Sequence, residues 1–230
     1  TQANGSSVSN MAVADQDWSV FRAYTSLANA EDGIENTGLD DAIENFDTWT
    51  GGRDLVANNE QWNIALYADA VDTGGISIDG WTTSASYYLK VFTPYKNTEV
   101  GIRQRHLGKF DKRLYGTISK VGTDVQPGVR ISNSYTWIDG LQIESLGSGS
   151  YVNAGILATN TQNFAKISNN IVKGSFNPAN TGSSCHGIMF AMDSTDTYYA
   201  YNNLVYDFKR NTNDCEGIRV SSNLKAYIYN

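Results

Sequence analysis

Short alternations of apolar and polar residues recur along the second half of the chain. Val129-Arg-Ile131, Ile156-Leu-Ala158, Ile188-Met-Phe190 and Ile218-Arg-Val220 each follow a glycine (Gly128, Gly155, Gly187, Gly217), and the glycines are 27, 32 and 30 residues apart. Ten to thirteen residues after each glycine comes a second strand-like run: Ile138-Asp-Gly140-Leu-Gln-Ile143, Ile167-Ser-Asn169-Asn-Ile-Val172, Ala200-Tyr-Asn202-Asn-Leu-Val205 and Ile228-Tyr-Asn230. Apolar side chains at every second position turn one face of each run inward and the intervening Arg, Ser, Gln or Tyr outward. No single copy encloses a core. Stacked at the strand spacing of about 4.8 Å, the copies place Ile138, Ile167, Ala200 and Ile228 in one interior column and Ile143, Val172 and Val205 in another. Gly140, Asn169, Asn202 and Asn230 fall in register and predict a corner ladder, because Gly and Asn accept left-handed backbone and an Asn side chain can bond the neighbouring coil. The fold expected is all-β: a right-handed parallel β-helix.

The rest of the chain supplies a beginning for that stack. Residues 1–16 are rich in Ser, Asn and Ala without pattern and read as an N-terminal arm. Residues 17–60 read as a capping or attachment region, with a short strand at Trp18–Phe21 and helical spacing at Tyr24, Leu27, Ala28 and Ala30, stopped by Gly33. A second helix is expected over Leu39–Phe46, with acids opposite Leu39, Ala42, Ile43 and Phe46. Such a helical cap would cover the open first coil, whose apolar interior and unpaired strand edge need protection. The β-helix is expected over 61–230. Its early rungs are Trp62–Tyr67, Ile76–Gly80 and Tyr87–Phe92, interrupted over 95–127 by a basic segment that reads as more loop than strand. Asn230 falls in mid-copy without a polar closing segment, so the expectation is that the chain continues or that a neighbouring subunit covers this end.

Charge narrows the partners. The formal net charge of −7 argues against a general nucleic-acid binder. Residues 15–60 carry eleven acids against Arg22 and Arg53, whereas 96–113 carry six bases against Glu99 and Asp111. These are either two solvated surfaces or two halves of a subunit contact. No run reaches the roughly 18 apolar residues of a membrane helix, so no membrane span is expected.

Cys185 and Cys215 each lie two residues before the glycine of their copies, 30 residues apart, and should be vertical neighbours. Adjacent rungs bring α-carbons to about 4.8 Å, inside the range a disulfide accepts. Either a disulfide or two stacked thiols satisfies this spacing, and the redox compartment decides between them. His186 and Glu216 stack beside the pair without the further ligands of a metal site.

Four stretches carry a resemblance: Ile78-Asp-Gly-Trp-Thr-Thr83; Tyr88-Leu-Lys-Val-Phe-Thr-Pro94; Arg105-His-Leu-Gly-Lys-Phe-Asp111, with Tyr115 shortly after; and Tyr135-Thr-Trp-Ile-Asp-Gly-Leu-Gln-Ile143. Together they resemble pectate-lyase-like parallel β-helix proteins of phage and prophage structural regions and bacterial surfaces. The resemblance covers roughly 50–230. It implies a part of a fibre, spike or decoration, often homotrimeric, in a virion or at an extracellular surface, with some relatives binding or cleaving polysaccharide.

For a polysaccharide lyase or glycoside hydrolase, the best acids are Asp193 and Asp196 in one loop, with Asp207 following. A glycosidase would need two such carboxylates about 5–9.5 Å apart, and calcium would enter only with a lyase. Nothing in the spacing demands either, so no catalytic residue and no cofactor is assigned. Neither His106 nor His186 accompanies a nucleophile motif, and His106 is expected to order a loop against the first rungs. Tyr198, Tyr199, Tyr201 and Tyr206 crowd one copy. Outward rings there could meet sugars or another subunit, while several must pack within the rungs. The function expected is that of a structural component of a surface or virion assembly with a glycan or receptor contact.

Overall fold

In the computed structural model the described residues are 22–47, 49–99, 104–113, 116–122, 127–147, 153–159, 164–176, 184–191, 197–209, 214–221 and 224–230. The arm expected over 1–16 and the strand at Trp18–Phe21 lie outside them. The described chain is a parallel β-solenoid with two short helices, α1 (Leu27–Asp32) and α2 (Leu55–Asn58).

Each coil contributes one strand to each of three parallel sheets. The first coil is β1 (Trp62–Ala65), β2 (Val71–Asp72) and β3 (Ile76–Ile78), and the second is β4 (Leu89–Phe92), β5 (Thr117–Gly122) and β6 (Val129–Ile131). The third is β7 (Thr136–Asp139), β8 (Gln142–Gly147) and β9 (Asn153–Thr159). Next come β10 (Phe164–Ser168), β11 (Ile171–Gly174) and β12 (Cys185–Ala191), then β13 (Thr197–Tyr201), β14 (Leu204–Tyr206) and β15 (Cys215–Val220). A final strand, β16 (Lys225–Tyr229), completes a six-stranded sheet ordered β1-β4-β7-β10-β13-β16. The other two sheets have five strands each, β2-β5-β8-β11-β14 and β3-β6-β9-β12-β15.

The expected columns form. Ile138 pairs with Ile167, Ile167 with Ala200 and Ala200 with Ile228, and Val91 extends the column below Ile138. Ile143, Val172 and Val205 form the second column, extended by Ile118. A third runs Ile76–Val129–Ile156–Ile188–Ile218 on the glycine-led strands. The repeated glycines have a different role from a corner. Gly155 and Gly187 lie inside strands, and a Cβ at Gly155 would sit 2.8 Å from the Gly187 carbonyl oxygen and collide with Val172. The inner faces of two sheets approach too closely there for any side chain.

Gly140, Asn169 and Asn202 take left-handed backbone, with φ of 82°, 56° and 53°, and split each long run into two strands on different sheets. Asn230 follows Tyr229 in register with Asn202. The ladder that ties the coils internally is one residue further on. Buried Asn170 donates to the Ile138 carbonyl at 3.1 Å and accepts from the Leu141 N–H at 2.9 Å; Asn203 repeats this one coil later, donating to the Ile167 carbonyl at 2.8 Å.

Helix α1 packs on β3 as the cap. Ser26 caps its first turn, Gly33 its last, and Leu27 and Ala30 are buried. The cap continues in Trp49, Trp81 and Trp62, with ring centroids 6.0 and 5.1 Å apart. The helix expected over Leu39–Phe46 does not form. The Asp40 side chain accepts from the Ala42 N–H, and the Glu35 carboxylate accepts from the N–H groups of Asn45 and Asp47, with Asn45 at φ 60°. Local side-chain bonds here outcompete the helical ladder, leaving Ile43 and Phe46 exposed. The segment over 95–127 is also less of an interruption than its sequence suggests, since β5 is a full strand of its sheet.

Candidate functional site on the six-stranded sheet

Alternation along the six-stranded sheet turns three columns of side chains outward. The middle column runs Lys90, Trp137, Lys166, Tyr199 and Tyr227. Beside it stand Tyr88, Tyr135 and Phe164 on one flank and Phe92, Asp139, Ser168, Tyr201 and Tyr229 on the other. The rings contact one another along and between columns. Tyr88 stacks on Trp137 at 4.4 Å, Tyr199 on Tyr227 at 5.1 Å and Tyr201 on Tyr229 at 5.4 Å, all within 12° of parallel. Phe164 links Tyr135 and Tyr199. The lysine ammoniums lie over ring faces, Lys166 at 4.7 Å from Trp137 and 5.2 Å from Phe164, and Lys90 at 4.2 Å from Phe92.

This face is cationic on an acidic chain. Among the described residues its outward positions hold Lys90, Lys166 and Lys225 and one acid, Asp139. Asp139 is committed elsewhere. Its carboxylate receives Arg105 at 2.5 Å, the Ser168 hydroxyl at 2.9 Å and the Asn169 amide at 2.6 Å.

Arg105 belongs to a strap that leaves the second coil after Thr93 and crosses the corner between the six-stranded sheet and the sheet containing β8. Its guanidinium packs against Gly140, where any side chain would collide with it, and over the Tyr95 ring at 4.0 Å. His106 Nδ1 accepts from the Gly108 N–H, so Nε2 carries the proton and donates to the Asn169 carbonyl at 2.8 Å. Burial holds this imidazole below its usual range, with the Arg105 charge adding to the effect. His106 thus ties its loop to the fourth coil and not, as expected, to the first rungs. Further along, Asp111 exchanges hydrogen bonds with Gln142, and Lys112 lies 3.7 Å from the buried Glu144 carboxylate, which also receives Ser119, Ser175 and Lys173.

The four tyrosines of the crowded copy separate. Tyr199 and Tyr201 join the outer face. Tyr198 is fully buried, 4.7 Å from Phe190, and is not a contact residue. Parity turns it inward, and its vertical neighbours Ala165 and Ala226 make room for the ring. Tyr206 lies on β14, a different sheet, with its hydroxyl pKa raised by burial and by Asp207 and Glu144. Asp193 and Asp196 lie outside the described residues. Asp207 is an exposed corner residue at φ 60°, 3.7 Å from Lys209. Among the described residues no group of three or more His, Cys, Asp or Glu could hold a metal ion. An open depression of about 250 Å³ beside the cap is lined by Gly33, Glu35, Thr37, Glu44, Asn45 and Asp47. The Glu35 carboxylate there is occupied by backbone donors.

Cys185 and Cys215 form a disulfide between adjacent rungs, with α-carbons 4.5 Å apart. Beside it His186 is fully buried, its Nδ1 3.3 Å from Glu216. Burial, followed by the Arg219 charge, depresses its pKa despite Glu216 and Asp214.

Residue-type crowding pointed to the tyrosines but not to Trp137, Lys166, Tyr227 and Tyr229. The signal that finds them is register: positions two before and two after the inward Ile138, Ile167, Ala200 and Ile228 share those residues' parity, so the odd neighbours in between form the outer columns. No family model, no curated protein and no solved structure matches the chain.

Proposed function

We propose that this chain is a rigid structural module of a virion or extracellular surface assembly, of the fibre, spike or decoration kind, and that its six-stranded sheet contacts a surface glycan. The observation that carries this reading is the continuous outward array of rings and lysines from Tyr88 to Tyr229, which spans successive coils instead of closing around a small-molecule cavity. Tyrosine and tryptophan are suited to contacts that are apolar on one side and hydrogen-bonded on the other. An inter-rung disulfide supports an oxidising location. Stacked coils with aligned columns supply the stiffness such a part needs. Assembly as a homo-oligomer, a trimer foremost, belongs to the same reading.

The experiment is a binding screen of the full chain against surface and capsular polysaccharides, with reducing-end release measured alongside and particle mass followed by light scattering. Binding without release, by a particle larger than one chain, is the expected result. Release of reducing ends that depends on Asp193 or Asp196 would replace this reading with a carbohydrate-cleaving enzyme. A strictly monomeric particle that binds no glycan would remove it.

A further inference from the structure

We infer that the lysine-bearing face of the six-stranded sheet takes an anionic, extended polysaccharide lying along the solenoid axis, held by charge and hydroxyl donors rather than by sugar stacking on rings. This rests on the glycan-contact reading above and specifies its ligand.

Three observations carry it. The first is sign. On a chain of formal net charge −7 this face presents Lys90, Lys166 and Lys225, and its one acid among the described residues, Asp139, is neutralised by Arg105. The ammoniums of Lys90 and Lys166 rest on rings instead of carboxylates. Glu99, which feels Lys90 at longer range, is tied to the N–H groups of Tyr95 and Lys96.

The second is ring geometry. Tyr88 lies against Trp137, Tyr199 against Tyr227 and Tyr201 against Tyr229, nearly parallel, so the rings spend their faces on one another. What they offer a ligand is edges and phenol hydroxyls. Those groups, with ammoniums between them, suit carboxylates and hydroxyls and give a neutral sugar face little to stack on.

The third is period. Outward positions recur at the coil spacing of about 4.8 Å, close to the advance per pyranose ring in an extended glycan. In the middle column Lys90 and Lys166 stand two coils apart with Trp137 between them, followed by Tyr199 and Tyr227, so a polymer aligned with the axis meets ammoniums on alternate coils and phenol hydroxyls beyond them. The competing occupant is a second copy of this chain, whose acidic segment over 34–47 exposes Ile34, Ile43 and Phe46.

The test uses the full chain with a mannuronate hexasaccharide and the same oligomer after reduction of its carboxyl groups. Binding is measured by calorimetry at low and high salt. The acidic form should bind at least about tenfold more tightly, and weaken as salt screens the lysines. Lys166→Gln and Lys90→Gln should each weaken it by about threefold to fivefold without altering the reduced form. Tyr199→Phe, which keeps the ring and deletes the hydroxyl, should weaken both forms. Lys209→Gln, on a corner away from this sheet, should change neither. Both lysines point outward, and unchanged melting of the variants separates lost binding from lost fold. Equal, salt-insensitive binding of the two oligomers overturns this inference and leaves the glycan-contact reading standing. Binding of neither oligomer overturns this inference, and binding of no polysaccharide in the wider screen overturns the glycan-contact reading with it. A particle mass that rises with concentration and falls on Lys166→Gln, with the acidic oligomer unbound, overturns the inference in favour of the second copy.

Discussion

Arg105 and Asp139 are 34 residues apart in sequence and form an ion pair 2.5 Å long at the corner where the strap crosses the third coil. Both side chains are largely buried, and the carboxylate also anchors Ser168 and Asn169 on the next coil. Removing the guanidinium leaves a buried charge with only two neutral donors. Arg105→Ala is therefore expected to lower stability by about 2–4 kcal/mol. Urea denaturation checks this, and Lys112→Ala at the exposed end of the strap should cost under about 1 kcal/mol.

Tyr198 and Tyr199 are adjacent in sequence and opposite in consequence. Truncating the inward ring to Ala leaves a cavity between Ala165 and Ala226 and should cost about 3–5 kcal/mol. The same change at Tyr199 removes outer ring contacts with Phe164 and Tyr227 and should cost about 1 kcal/mol. Equal losses in thermal or chemical unfolding would contradict the facing assigned to β13.

Reducing the Cys185–Cys215 bond, or replacing both residues by Ala, releases a loop of 30 residues. The expected loss is about 2–4 kcal/mol. It is read from denaturation midpoints with and without reductant, and the double variant should be indifferent to reductant.

Gly155→Ala should cost about 1–3 kcal/mol by overpacking, because the added methyl meets the Gly187 carbonyl and Val172. Gly108→Ala provides the comparison. Nothing lies near its Cβ, so any loss there comes from its φ of 85° alone. Paired melting curves measure the difference.

Burial holds both His106 and His186 below the ordinary imidazole range. Because the folded pKa lies under the unfolded one, the unfolded chain takes up protons first on acidification. The stability from the neutral rings is present above about pH 6.5 and drains away as pH falls through that value toward the folded pKa. Glu31 has the opposite sign. Burial raises its carboxyl pKa, so its contribution is favourable below the unfolded carboxylate range and is lost as pH rises through the folded value. Urea midpoints from pH 8 to 4 should fall on acidification through the imidazole range, with a shallower slope for His106→Asn. Glu31→Gln should raise the midpoint at neutral pH.

The stacking was legible because its signals are local and periodic. Ile138, Ile167, Ala200 and Ile228 recur once per run at a spacing near 30 within an alternating apolar pattern, Gly140, Asn169 and Asn202 mark the bend, and the cysteines share an offset from their glycines. What escaped depends on neighbours in space. Asn170 and Asn203 differ from Asn169 and Asn202 only in pointing into the corner, and the third sheet hides within runs that read as single strands. The strap gave only a basic charge pattern, since its partners Asp139, Gln142 and Glu144 lie a coil or more away in sequence. The cap helix at Leu27–Asp32 followed its spacing and its Gly33 stop, whereas Leu39–Phe46 had the spacing but lost to carboxylates bonding its backbone. The outer face needed the register of all six strands before Trp137 and Lys166 could be placed together.

The strap also fixes how this rod would come apart under tension. Thr93, Asp139 and Asn169 on three successive coils must release Arg105 and His106 nearly together, while the cysteine staple joins the fourth coil to the fifth. Peeling from either end thus meets a clasp before it reaches the middle, so the central coils are the last to unravel and a pulling experiment should record a terminal step of low force followed by one abrupt, high-force rupture.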